Sequence, residues 1–171
     1  FDNGQKTFWG YEIGRNYKIE KPADEKMSGV KETKTLAGVM TGEVENSKWQ
    51  NTNKLDFYTI KGIFEHLFKE LGVERRIKIS ASDSIDYMHP YRKAQILLLG
   101  KTPLPIGYFG QIHPSLIDKL KLNQDVFLFE LDLEAIISAV KLSVPRFKHL
   151  AQFPEVKRDL AFVINENVTY D

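Results

Sequence analysis

Three carboxylates crowd the end of one apolar stretch, FLFELDLEA, at Glu130, Asp132 and Glu134. In an extended chain, Glu130 and Asp132 share a face. A pair so placed suits general acid–base work or the oxygen shell of Mg²⁺. A solvated sheet edge or a partner contact accounts for the same residues without chemistry. Histidines stand at 66, 89, 113 and 149. His66 has no second ligand one helical turn further on, so the zinc pattern of two histidines on one helix face does not form. His89 and His113 each precede a proline, which fits a residue held extended or a helix cap. Gly107 and Gly110 give only G-x-x-G, a tight backbone between strand and helix, and no G-x-x-x-x-G-K phosphate loop is present. No pattern supports a seryl triad.

A second constellation is cationic. Residues 141–158 hold Lys141, Arg146, Lys148, Lys157, Arg158 and His149 against one acid, Glu155, beside Phe147 and Phe153. Such a stripe can touch a phosphate backbone. It can equally be a solvated linker whose cations pair with Glu155 and Asp159. The whole chain does not decide, because 24 Lys and Arg balance 23 Asp and Glu, so any polyanion site is a local patch.

The elements that must position these groups read as follows. A length of 171 residues with 42% hydrophobic content suits one buried core. Residues 8–17 (FWGYEIGRNY) and 35–42 (TLAGVMTG) read as strands. Between them, 18–34 reads as a polar loop, and 43–54 as a surface loop whose Trp49 needs cover. Asp56 is a good N-cap for a helix with Phe57, Ile60, Phe64, Leu67, Phe68 and Leu71 on one face, stopped by Gly72. Strands follow at 74–81, 93–100, 105–112 and 125–133, with a short helix opened by Pro114 and another at 134–140. In the strand at 125–133, Phe127, Phe129, Leu131 and Leu133 form the buried face. The other face turns acidic at its end. Few long crossovers and many short loops predict an α+β fold, an antiparallel sheet flanked by helices, and not a doubly wound parallel one. Residues 160–164 (LAFVI) form an apolar run of strand length that needs cover on both faces. The chain holds no cysteine, which is compatible with a reducing cytosol. No run approaches the roughly 18 apolar residues of a membrane span. The opening FDNGQKTFWG has neither initiator methionine nor signal-like sequence, and both ends are expected to continue into something longer.

Several stretches in order resemble one family: YEIGRNY (11–17), LAGVMTGE (36–43), Trp49 followed by LDFYTIKGIFEHLFKELGV (55–73), YMHPYRKAQI (87–96), IGYFGQIHPSL (106–116), VFLFELDL (126–133) and FPEVKRDLAFVI (153–164). These are similar to the β subunit of bacterial phenylalanyl-tRNA synthetase. The G-x-x-G-x-x-H-P stretch at 107–114 and the FPEVKRDLA stretch are the most specific parts. The resemblance implies that 1–150 is a catalytic-like module, a degenerate copy of the class II synthetase core. It implies that 151–171 is a linker and the first strand of a ferredoxin-like anticodon-binding domain.

A working class II core holds the α-phosphate of ATP with one arginine on the sheet. It holds the γ-phosphate with a second, from a glycine-rich strand–helix motif that is missing from this sequence. Arg15 is the lone candidate for the first role. The resemblance therefore implies a non-catalytic scaffold, with no catalytic, cofactor or metal residues of its own. Its partner is an α subunit that uses ATP and Mg²⁺, in a cytoplasmic assembly of two α and two β chains acting on tRNA. Phe8, Trp9, Tyr11 and Trp49 are candidate subunit anchors, since Trp and Tyr dominate interface energetics; filling the module's own core is the competing assignment. Two other functions stay open. One is an active ATP-using core built on Arg15, Glu130 and Asp132. The other is an RNA-binding module acting through Arg146, Lys148, Lys157 and Arg158.

Overall fold

Phe8–Ile19 (β1) and Val30–Thr41 (β2) form one long hairpin, in unbroken antiparallel register from Phe8↔Thr41 to Ile19↔Val30. The computed structural model describes residues 6–19, 29–46, 51–82, 85–141, 158–161, 163 and 165. The elements that follow are Glu43–Asn46 (β3), Asn51–Lys54 (β4), Phe57–Glu70 (α1), a 3-10 turn at Glu74–Arg76, Ile77–Ala81 (β5) and Met88–Leu98 (β6). Leu104–Ile112 (β7), Pro114–Lys119 (α2), Val126–Asp132 (β8) and Leu133–Lys141 (α3) complete the set. The main sheet has six strands in the order β1-β2-β8-β7-β6-β5, every neighbour antiparallel, and β3 pairs separately with β4. This is the α+β architecture expected. The last strand in sequence, β8, slots between β2 and β7, which draws its acidic end into the middle of the sheet.

The core lies between the sheet and α1. Asp56 caps the helix as its residue type predicts, accepting from the Thr59 backbone N–H at 2.7 Å and from the Thr59 hydroxyl at 2.6 Å. Gly72 leaves the helix with φ 68°, a left-handed stop that costs glycine little. Ile60, Phe64 and Phe68 are the buried face of α1. Phe64 packs with its ring 5.0 Å from Phe109 on β7 and 5.3 Å from Phe129 on β8. Leu131, Ala94 and Ile96 extend the same layer, and Ile136 and Ala139 of α3 close it. The predicted burial of Phe127, Phe129 and Leu131 holds, whereas Leu133 opens α3 and is half-buried.

Several boundaries differ from the sequence reading. Residues 18–19 and 30–34 extend the hairpin where a polar loop was expected. They are exposed nearly throughout, so no buried face imprinted an apolar alternation on them. Residues 43–54 contain the β3–β4 hairpin; its polar strands likewise carry no such signal. β6 begins at Met88, not at residue 93, and runs through Pro90. A register irregularity between Met88 and Lys93 accommodates the missing N–H. Of the apolar run at 160–164, Leu160, Ala161 and Val163 are described, and Leu160 and Val163 are exposed. Phe162 and Ile164 of the expected entry strand lie outside the described residues.

Candidate functional site

The two faces of the β1–β2 hairpin decide what its side chains can do. Asn16, Lys18, Lys31, Thr33 and Thr35 face an open cleft of about 320 Å³, shared with Glu130 and Asp132 of β8 and Tyr108 of β7. Trp9, Tyr11 and Ile13 face the other way, toward α1. Strand alternation sends Arg15 to that second side, where its guanidinium is ion-paired and hydrogen-bonded to Glu32. The candidate α-phosphate arginine therefore stands on the wrong face of the sheet to meet Glu130 and Asp132. The sequence order E-I-G-R-N does not reveal this, because the face follows from register.

The acids of the cleft are held by neighbouring donors. Tyr87 donates through its hydroxyl to that of Tyr108 at 2.7 Å, and Tyr108 donates to Glu130 Oε2 at 2.7 Å. Asn16 Nδ2 reaches over β2 and donates to Glu130 Oε1 at 3.0 Å. Both oxygens of Glu130 are engaged. Burial, followed by the bonds to Tyr87 and Glu130, holds the Tyr108 phenol far above the usual tyrosine range. Asp132 accepts from the Ala135 N–H at 3.0 Å, at the start of α3. Glu134 points to solvent in the first turn of that helix, where a carboxylate complements the positive helix end. Gln95 Nε2 donates to Ser80 Oγ at 3.3 Å on the neighbouring strands. The three carboxylates thus go to a brace, a cap and a solvated helix end. They do not converge on one point, and no group of three potential metal ligands occurs among the described residues.

Asn16, Tyr87 and Tyr108 were not singled out from sequence. Tyr108 lies inside the IGYFGQIHP stretch, whose glycines drew attention first. Those glycines have packing roles within β7. A Cβ on Gly107 would meet the Glu130 carbonyl oxygen at 2.4 Å, and one on Gly110 the Arg92 carbonyl oxygen at 2.6 Å. The bland reading of a tight backbone is right, although the crowding comes from adjacent strands and not from a strand-to-helix turn.

The histidines take local roles. His113 Nδ1 accepts from the Ser115 N–H at 3.2 Å as the N-cap of α2, directly before Pro114. His89 Nδ1 accepts from the Tyr91 N–H at 3.1 Å. Burial first, then the nearby Arg92 and His113, lower the His89 pKa. His66 is exposed on α1. His149 lies outside the described residues.

Of the subunit anchors, Phe8, Trp9 and Tyr11 are 52%, 43% and 75% exposed, so they do not fill the module's own core. Trp9, Tyr11 and Ile13 rim an apolar groove of about 440 Å³ against Leu36, Met40 and Leu67. Phe8 lies on the reverse face, in a second apolar pocket of about 400 Å³ with Val39, Leu120 and Leu128. Trp49 lies outside the described residues, as do Arg146, Lys148 and Lys157 of the cationic stripe. Arg158 is described and exposed. No helix among the described residues is long and apolar enough to cross a membrane.

An antiparallel six-stranded sheet with a helix layer on one face and a polar cleft on the other is the fold of an aminoacyl-tRNA synthetase core. The crystal structure of pyrrolysyl-tRNA synthetase from Desulfitobacterium hafniense superposes with a TM-score of 0.51 at 13% identity, covering 81% of this chain and 43% of that one. At that identity the likeness is one of fold. Sequence carries the assignment further. The family model for the phenylalanyl tRNA synthetase beta chain CLM domain matches residues 1–133, and the chain belongs to that family. A phenylalanine–tRNA ligase beta subunit from Synechococcus elongatus is 33% identical over 175 residues, covering 99% of this chain and 20% of the relative. Its counterpart from Legionella pneumophila is 36% identical over 141 residues, covering 82% and 17%. That from Geobacillus kaustophilus is 38% identical over 138 residues, covering 80% and 16%. The chain therefore spans about a fifth of the length of the curated relatives it matches.

Proposed function

We propose that this chain is a non-catalytic scaffold module of the β subunit of a cytoplasmic phenylalanine–tRNA ligase. It supports an α subunit that joins phenylalanine to tRNA with ATP and Mg²⁺, in an assembly of two α and two β chains. Residues 1–150 form the module, and 151–171 lead toward an anticodon-binding domain. One observation carries the reading: the cleft's acids are bonded to the cleft's own donors, and Arg15 faces away from them in an ion pair. Adenylate formation needs fixed cations around the developing phosphate charge. A Glu130 already holding Asn16 and Tyr108 braces three strands instead. The exposed aromatics of β1 suit the partner contact.

Calorimetry with ATP and the isolated chain tests the absence of catalysis, and co-expression with the α subunit followed by size exclusion tests the scaffold role. The expected results are no heat of ATP binding and co-elution with α. Saturable ATP binding sensitive to Arg15→Ala would establish the active-core alternative. The RNA-binding alternative through 141–158 predicts that Arg146→Ala and Arg158→Ala together weaken tRNA binding.

A further inference from the structure

β1 lies at one edge of the main sheet, and among the described residues its outer side pairs with no strand. It runs from Phe8 to Ile19 without a proline, and its register with β2 is unbroken. A regular row of backbone N–H and C=O groups therefore faces outward, a ready template for another strand. β2 pairs with β8 only from Thr35 to Thr41, so residues 15–19 and 30–34 stand as a two-stranded ribbon beyond the sheet. Alternation puts Tyr17 and Ile19 of that ribbon on the face of Trp9, Tyr11 and Ile13, and they are 64% and 94% exposed. The apolar stripe thus runs further along β1 than the groove against α1 does. Gly14 is an independent mark. A Cβ there would meet nothing within 4 Å, and Gly14 is not among the glycines with positive φ. Nothing in the chain's own fold calls for a glycine, which weakens a strand interior and otherwise marks the close approach of another backbone.

We infer that β1 pairs antiparallel with β1 of a second copy of this chain, about a two-fold axis at Gly14. Such an axis, normal to the sheet, keeps each face on its own side. One copy's Tyr11 then faces the other's Tyr17, Trp9 faces Ile19, and symmetry repeats both contacts. On the opposite face Glu12 meets Asn16 and lies diagonal to the second copy's Lys18, within reach of so long a side chain. No like charges stand directly opposite. The two Arg15 side chains fall on a diagonal, but each is ion-paired with its own Glu32. Neighbouring registers do worse. An axis at Ile13 brings two Glu12 carboxylates onto a diagonal and carries Ile19 past the end of β1, and an axis at Arg15 sets two guanidinium groups face to face. The pairing leaves the outward surface of the rings free for a different partner. It rests on the scaffold reading for the two β chains that one assembly supplies.

The test uses the full-length β chain assembled with its α subunit and carrying Gly14→Cys, treated with a mild oxidant and resolved without reductant. Facing Cα atoms of an antiparallel pair lie about 4.5–5.5 Å apart, inside the range a disulfide spans. Wild-type β, and Tyr58→Cys at an exposed position on α1, set the collisional background. The expected yield of β–β dimer through residue 14 is roughly tenfold above that background, since thiols held at facing positions react as if highly concentrated. A mixture of Tyr11→Cys and Tyr17→Cys chains should cross-link where neither does alone. A yield no higher than background, with α and β still co-eluting, would overturn the edge pairing and leave the scaffold reading standing. A link from residue 14 to the α chain would assign this edge to α and overturn the inference. Residue-14 dimers without the Tyr11–Tyr17 link would overturn the register. Should wild-type α and β fail to co-elute, the scaffold reading falls, and the same cross-link on the full-length β chain alone still decides the edge.

Discussion

The hydroxyl of Tyr108 is shared between β6-side and β8-side partners, Tyr87 and Glu130. Tyr108→Phe keeps the ring and removes the link, leaving a part-buried carboxylate with only Asn16. A bond to a charged acceptor contributes about 1.5–3 kcal/mol, and the loss should fall near the low end because the cleft is open to water. Urea unfolding measures it. An Asn16→Ala effect that stays the same in the Tyr108→Phe background would show the brace is not a unit. Asp56 offers a second residue-scale outcome, this one with a pH dependence. Its bonds to the Thr59 side chain and then the Thr59 backbone lower its pKa from 3.8. A carboxyl depressed in the folded state contributes stability above its unfolded pKa, and that stability is lost as pH falls through the folded value. Asp56→Ala should therefore cost about 1 kcal/mol near neutral pH, as N-cap losses do. The gap from wild type should narrow only well into acid, below the unfolded pKa. The caps at Asp56 and His113 were legible from sequence because each depends on two or three neighbouring residues. The face of Arg15 was not, since it depends on a strand register set elsewhere.

At the scale of elements, two glycines separate packing from propensity. Gly107 sits where β7 meets β8, and an added Cβ there collides with the Glu130 carbonyl. Neither strand can retreat without breaking the ladder that runs from Gly107↔Leu131 to Gln111↔Phe127. Gly107→Ala should destabilise by about 1–3 kcal/mol, the usual cost of overpacking. Gly62 in α1 has nothing within 4 Å of its notional Cβ, so Gly62→Ala should stabilise by about 0.5–1 kcal/mol. Thermal melts of the two variants should move in opposite directions. The same contrast explains which elements were readable. α1, β7 and β8 bury one face, and burial imposes a period on the sequence. β3 and β4 are polar in sequence and the outer hairpin ribbon buries little, so their extended backbone follows from pairing, which leaves almost no trace in residue type. β6 was half-visible: its apolar end was found, while Pro90 disguised the start.

At the scale of the whole molecule, the sheet's order leaves β1 as a terminal strand with aromatics on both faces. Trp9, Tyr11 and Ile13 project from the twelve-residue strand, with Tyr11 mostly exposed and Trp9 and Ile13 about half covered along the apolar groove. Large apolar side chains in that situation cost less in folding when removed than in association. Tyr11→Ala should shift the unfolding midpoint of the isolated chain by less than about 0.5 kcal/mol equivalent, as surface changes do, and the more covered Trp9→Ala by about 1 kcal/mol or more. In the assembled enzyme, each should weaken α–β association by about 2 kcal/mol or more if it is an interface anchor, roughly thirtyfold in Kd. Analytical ultracentrifugation across a dilution series reads the second quantity, and a urea melt the first. A variant that loses stability without losing association would return these rings to the core and remove the aromatic face as the docking surface. The opposite result would make the sheet-bound half of this hairpin, with its outward rings, the docking surface.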